Sequence, residues 1–287
     1  MDLASITPLI LTYNEEANIA RVLEKLRWAS SIVLLDSGST DRTRDIARNF
    51  PNVVVTERRF DDHVTQWNYG LEQVRTPWVL SLDADYVLSA EFAREVEHLE
   101  STCNGYEASF RYCVGGRPLR ASLYPPRVVL FRRDKATYVN DGHTQLLKLD
   151  GAQGRLSSPI YHDDRKPLQS WLGAQDRYSR LESEKLLASA KEQLSFADRL
   201  RLTGWAAPFV VPVYCLCVKG LIRDGWSGLF YTLQRTYAEV LLALRLFEYR
   251  LRPSLARNEH AEAPSRATEA VTKEPGPSIS EAKQGGR

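Results

Sequence analysis

The residues best able to do chemistry stand in short clusters, each at the end of an apolar run. The run from Thr7 closes on Thr12, Tyr13, Asn14, Glu15 and Glu16. The run from Ile32 closes on Asp36, Ser37, Gly38, Ser39, Thr40 and Asp41, and that from Trp78 on Asp83-Ala84-Asp85. Brought together, these groups make a crevice of carboxylates, hydroxyls and an aromatic ring. Carboxylates repel a diphosphate unless a divalent cation stands between them. Mg²⁺ or Mn²⁺ suits such a site, because hard oxygen ligands bind them and substrate phosphates complete their coordination. Local readings compete with this one. Asp36 and Asp41 can cap a following helix, Tyr13 can be a half-buried aromatic, and an acidic pair after a strand can be a solvated turn.

Whether the clusters meet depends on the elements that carry them. Thr7 to Thr12, Ile32 to Asp36, Val53 to Thr56 and Trp78 to Asp83 are short apolar runs of the buried-strand type. Helical stretches lie between them, at Ala17 to Leu26, Asp41 to Asn49 and about Val64 to Val74, with Thr40 as the expected N-cap of the second. Strands alternating with such helices imply βαβ units, a mainly parallel sheet, and ligands beyond the carboxyl ends of the strands. The fold class is α/β over residues 1–165. Residues 166–252 read as a helical region in which Leu168, Trp171, Tyr178 and Leu181 share one face. Residues 253–287, rich in Ala, Glu, Ser, Pro and Gly, bury too little apolar surface to order and read as a disordered tail.

Composition narrows the function classes. The 287 residues carry a net charge of +2, so no bulk basicity points to nucleic acid. The four cysteines, Cys103, Cys113, Cys215 and Cys217, form no CxxC pair and read as reduced thiols of a cytosolic protein. Met1-Asp2-Leu3 lacks the basic start of a secretory leader.

The segments LTYNEEANI, LLDSGSTDRT and LSLDADY resemble, in order and spacing, the family 2 inverting glycosyltransferases of GT-A fold. LFRRDKATYVNDGHTQ is similar to the bacterial branch that builds lipopolysaccharide core and related cell-surface glycans. The resemblance covers residues 5 to 165 well and continues more weakly to about 250. It implies transfer of a hexosyl group from a nucleotide-sugar donor, a UDP-sugar favoured, to a lipid-linked or glycan acceptor. Donor binding then falls to Thr12, Tyr13, Asn14, Glu15, Asp36, Gln66, Asn68 and Asp83. Tyr13 packs on the nucleobase, Asp36 hydrogen-bonds to it, and Asn14 and Glu15 support the Tyr13 loop. Asp83 leans towards the ribose and, with Asp85, towards the metal. His162 is the third metal ligand, its ring oriented by Asp163 or Asp164. The general base follows the LFR motif, where relatives hold a His-Glu pair. Thr144 stands at the glutamate position, which leaves Asp141 first and His143 second. Arg127, Arg132 and Arg133 surround this segment, and one of them can hold a phosphate.

Ala206 to Val218 is too short to span a bilayer and is broken by Pro208 and Pro212, so it reads as re-entrant, interfacial or buried. Basic residues interleaved with aromatics from Arg199 to Arg252 suit anionic headgroups. Together these features imply a cytoplasmic enzyme held peripherally on the inner face of a membrane. The rival readings are a sugar-nucleotide nucleotidyltransferase and a catalytically silent nucleotide-sugar-binding module. The first commonly carries a glycine-rich phosphate loop that LTYNEEANI lacks; intact Asp83 and Asp85 argue against the second.

Overall fold

A computed structural model describes residues 1–252 other than Ser101, Gly142, His143, Lys191 and Gln193. The expected tail, 253–287, lies outside the described residues. The chain opens with β1 (Ile6–Thr12), α1 (Ile19–Glu24), β2 (Ile32–Asp36), α2 (Thr43–Arg48), β3 (Val53–Glu57), α3 (His63–Gln73) and β4 (Trp78–Asp83). Next come β5 (Tyr86–Leu88), α4 (Phe92–Glu97), β6 (Gly105–Ala108), β7 (Phe110–Val114), β8 (Arg117–Pro118) and β9 (Arg127–Arg132). The hairpin β10 (Ala136–Asp141) and β11 (Thr144–Leu149) precedes β12 (Gln153–Arg155) and β13 (Ile160–His162).

The main sheet has the order β12-β6-β9-β4-β1-β2-β3. Its β4-β1-β2-β3 half is parallel, while β9 runs antiparallel to β4 and β6 antiparallel to β9. Because neighbouring residues of a strand face opposite ways, β1 serves both layers of the core. Ile6 and Ile10 pack with Ile19, Val22 and Leu23 of α1, whereas Leu9 packs with Trp67 and Leu71 of α3 and with Tyr138 of the hairpin. A smaller sheet, β5-β13-β7-β8, joins the end of β4 to the residues around 162.

Helix starts differ from expectation for local reasons. α2 begins at Thr43, not Asp41, and Thr40 does not cap it. The Asp41 carboxylate instead accepts the N–H groups of Thr43 and Glu16, both at 3.0 Å, turning residues 40–42 out of the helix and onto the β1 loop. Asp62 caps α3 by accepting the Thr65 N–H at 2.8 Å.

Residues 166–252 are helical as expected: α5 (Leu168–Ala188), α6 (Phe196–Leu202), α7 (Ala206–Val213, continued by a π-helical turn Tyr214–Val218) and α8 (Gly225–Leu251). The buried face of α5 is only partly the apolar one. Ser179, Ser183 and Leu186 are buried and Trp171 packs on Tyr237 of α8 at 5.8 Å, while Leu168 and Tyr178 are exposed. The small serines let α8 approach, and Arg245 of α8 donates to Ser179 Oγ and Asp176 Oδ1 at 2.8 and 2.5 Å. Arg201 ties α6 to α8 through the buried Glu239, at 2.9 Å.

Candidate active site

The parallel register carries the acidic clusters to one edge. Thr12 lies beside Asp36, and Leu11 beside Asp83. β5 starts just after Asp85 and pairs with β13 so that Tyr86 stands opposite His162. The Asp163 N–H donates to the Asp85 carbonyl at 3.0 Å. This pairing of distant segments puts His162 Nε2 3.1 Å from Asp85 Oδ2. Burial opposes charge on both groups, but each outweighs it for the other. Asp85 is held below the usual carboxylate range and His162 above the usual imidazole range. Asp83 goes the other way, raised by burial and then by the neighbouring Asp85 charge.

The His162 ring lies among Tyr86, Tyr112 and Tyr124, with centroids at 5.3, 4.9 and 5.0 Å. Neither expected carboxylate orients it. Asp163 pairs with Arg165 and Arg21 at 2.8 and 3.6 Å, and Asp164 accepts from Asn18 at 2.8 Å. Nδ1 is buried with no hydrogen-bond partner among the described residues, so the Asp85 contact at Nε2 and ring packing set the orientation.

The donor atoms can be tested against a divalent ion. Among the described residues no three His, Cys, Asp or Glu side chains form a ready-made metal group. The 3.1 Å between Asp85 Oδ2 and His162 Nε2 still matches adjacent octahedral ligands, each about 2.1 Å from an ion. One carboxylate and one imidazole suit Mn²⁺, with donor phosphates and water left to fill the other positions. The residues fit the ion.

The loops after β1 and β2 are bound to each other. Asp36 is 0% exposed. Its Oδ1 accepts the N–H groups of Gly38 and Ser39 at 3.0 and 2.8 Å, and its Oδ2 accepts the hydroxyls of Ser39 and Thr12 at 2.5 and 3.0 Å. Thr12 and Asp36 therefore hold the loop in shape, and in this conformation neither presents an edge to a base. Asn14, in the left-handed region with φ 54°, donates its N–H to Ser39 Oγ and accepts the Thr40 N–H at its side chain. Tyr13, 58% exposed, holds its ring out beside them.

Gln66 and Asn68 are placed differently from the donor contacts the resemblance implies. Gln66 is fully buried, donating to Ser37 Oγ and the Arg58 carbonyl while accepting from the Arg58 guanidinium. Asn68 clamps β10, donating to the Tyr138 carbonyl at 2.9 Å and accepting the Tyr138 N–H at 3.0 Å. Both face inward because Trp67 between them stacks on Tyr138, at 5.2 Å, and fixes that side of α3 against the hairpin. Asp141 ends β10 opposite Thr144 of β11, and His143 lies outside the described residues.

Two site neighbours escaped the sequence reading. Lys166 Nζ sits 2.6 Å from Glu15 Oε1. Burial pushes the Glu15 carboxyl up to about 7, with Lys166 opposing. Asn18, fully buried, bonds to Glu15, Asp164, Arg21 and the Arg165 N–H, locking the loop after β13 to the loop after β1. The only advance signal was their place inside LTYNEEANI and IYHDDRKP. Of the three candidate arginines, Arg127 is the one whose charge acts on Asp83, and its guanidinium lies 4.8 Å from the Tyr124 ring centroid.

The chain is similar to known proteins in sequence and fold. Residues 9–145 match the family described as Glycosyl transferase family 2. The chain is 22% identical over 257 residues to "Lipopolysaccharide core biosynthesis glycosyltransferase LpsC" of Rhizobium meliloti (strain 1021), spanning 85% of this chain and 92% of that one. It is 32% identical over 100 residues, 34% of each chain, to an uncharacterized glycosyltransferase of Rickettsia typhi. The mannosyltransferase PcManGT from Pyrobaculum calidifontis, solved with GDP-Man and Mn²⁺, superposes with a TM-score of 0.50. That match is 15% identical and covers 87% of this chain and 88% of that one, which shows a common fold. With the acidic strand ends meeting on a GT-A sheet, residues 9–145 form a glycosyltransferase domain of family 2.

Proposed function

We propose that this enzyme transfers a sugar with inversion from a nucleotide sugar, a UDP-sugar first, to a lipid-linked or cell-surface glycan acceptor on the inner face of a membrane. The observation that carries the reading is the meeting of Asp83, Asp85 and His162 at the carboxyl edge of β4. The lipopolysaccharide-core role in the name of the LpsC relative supports the acceptor class, and the GDP-Man and Mn²⁺ held by PcManGT support a nucleotide-sugar donor and the ion.

Asp85 and His162 would hold Mn²⁺ or Mg²⁺, which when bound would supply positive charge to a departing diphosphate. Asp83 reaches towards the ribose. Tyr13 offers an exposed ring to the nucleobase, and Asn14, Thr12 and Asp36 keep its loop in place. Arg127 adds a cation beside Asp83 for the diphosphate. Asp141 takes the proton from the acceptor hydroxyl as that oxygen attacks the anomeric carbon. Attack from the face opposite the diphosphate inverts the centre.

The test is nucleotide release from UDP- and GDP-sugars by the purified chain. Release should stop in EDTA, return with Mn²⁺, and be lost in Asp85→Ala. Undiminished release in EDTA overturns the metal-dependent reading.

A further inference from the structure

The helical region leaves one corner that the transfer chemistry does not use. α7 and its π-helical turn meet α8 at a bend, the axes of Ala206–Val218 and Leu221–Leu251 differing by 71°. Among the described residues no single helix is long and apolar enough to cross a membrane. At the bend, Val218, Ile222 and Trp226 follow one another at intervals of four residues and are 69%, 67% and 86% exposed. Isolated exposed apolar residues are ordinary, but a run of large ones on one corner marks a contact surface.

The corner is rigid and anchored to the catalytic sheet. A Cβ on Gly228 would lie 1.9 Å from the Leu221 carbonyl oxygen, so only glycine lets α8 close on this turn. Asp224 faces inward, accepting the Arg120 N–H at 3.0 Å and pairing with its guanidinium at 3.2 Å. The Tyr231 hydroxyl accepts the Leu123 N–H at 2.8 Å, and Leu119, Cys215, Leu221 and Tyr231 form a buried cluster. From there the site is close. The Tyr231 ring lies 4.9 Å from Tyr112, and Tyr112 lies 4.9 Å from His162.

Charge decides between occupants. With Asp224 turned inward, the bend is bracketed by Lys219 and the exposed Arg223, beside the exposed apolar side chains. An isologous contact with a second copy, made about this corner, would set that positive rim against itself. An anionic bilayer complements it, with headgroup phosphates for the cations and the acyl boundary for Val218, Ile222 and the amphipathic ring of Trp226. Beside Trp226 a cleft of about 440 Å³, lined by Val114, Arg117, Phe230 and Leu233, opens between the β7–β8 turn and α8. Its apolar walls suit an acyl chain and its arginine a lipid phosphate.

We infer that the α7–α8 bend docks this chain on an anionic bilayer without crossing it, with Trp226 inserted and the cleft taking a lipid chain. The inference builds on the proposed lipid-linked acceptor by naming the surface that meets it. The experiment sediments the full chain with vesicles of phosphatidylcholine plus phosphatidylglycerol, and with phosphatidylcholine alone. The wild type should partition onto the mixed vesicles and release in high salt. Ile222→Glu combined with Trp226→Glu should lower partitioning at least about tenfold, the expected result of losing two inserted apolar side chains. The shift in melting temperature with UDP and Mn²⁺ should be the same for both proteins, which separates lost docking from lost folding. Where UDP gives no shift, loss of vesicle binding in a variant that melts at the wild-type temperature supports the docking surface, so a failed donor reading remains distinguishable. Equal partitioning of variant and wild type overturns the inference. So does a dimer that the substitutions break while neither protein binds vesicles.

Discussion

Asn18→Ala should unfasten the loop after β13 from the loop after β1, and the size of the effect follows from its partners. The Asn18 Nδ2 donates to Glu15 Oε2 and Asp164 Oδ1, both at 2.8 Å. Its Oδ1 accepts from the Arg165 N–H at 2.8 Å and from Arg21 Nη2 at 3.0 Å. A hydrogen bond to a charged group contributes about 1.5–3 kcal/mol net, and a neutral one about 1. The sum is an upper bound, since water reaches the partly exposed carboxylates once the amide is gone. A loss of about 3–4 kcal/mol is the working figure. Asn18→Asp keeps the shape but aims a carboxylate oxygen at Glu15 and Asp164, so at pH 8 it should cost more than alanine. Urea unfolding measures both, with the midpoint falling at constant slope. Because residues 163–166 follow His162 directly, the Mn²⁺ concentration needed for half-maximal nucleotide release should rise in both variants. A loss below about 1 kcal/mol for alanine, or an aspartate variant no worse than alanine, refutes the reasoning.

Other substitutions address the remaining parts of the site. Asp141→Asn should lower turnover by roughly 10²–10⁴-fold with donor binding preserved. His143→Gln should do less, and the opposite order in transfer assays gives the base to His143. Glu15, raised from 4.5 to about 7 by burial, holds more protons in the folded than in the unfolded chain across that window. Its contribution is therefore complete below about pH 4.5 and falls as pH rises through 7, by up to about 3 kcal/mol. Glu15→Gln should flatten this part of a melting-temperature profile, and an unchanged slope rejects the assignment. Lys166→Ala, which leaves Glu15 buried without its cation, should destabilise by about 3–5 kcal/mol above pH 7 in the same urea assay.

The parallel half of the fold was legible because each strand there is a continuous apolar run. β1, β2 and β4 are buried on both faces, so their sequences need no register to be recognised. The short strands of the later part were harder. β5, β12 and β13 are three residues each, too short for any period to show. α5 misled in a different way. Its apolar residues marked a face, of which Trp171 meets Tyr237 of the partner helix, but the closest approach is on the serine side, where small side chains and Arg245 allow it.

The same physical division runs through the site. Asp83 and Asp85 could be placed from sequence because a strand end fixes where they point, whatever happens elsewhere. His162 needed a family likeness, since only the pairing of β13 with β5 carries it to Asp85. Thr12, Asn14, Asp36, Gln66 and Asn68 were located correctly on their elements, yet their side-chain roles depend on which buried donors and acceptors they must satisfy. Asp36 illustrates the point. A carboxylate at a strand end is equally able to face a ligand or to gather loop N–H groups, and the two choices differ only in whether Gly38 and Ser39 turn back towards it. They do, at 3.0 and 2.8 Å, and Thr12 and Ser39 complete the set. Buried polar groups must find partners, and for Asp36 those partners lie within the chain. His162 Nε2 and Asp85 Oδ2 are instead each other's partner, at a spacing an ion can bridge. Unmet or interchangeable bonding capacity of this kind, rather than the presence of an acidic residue alone, separates the groups that can receive a ligand from those that hold the loops in place.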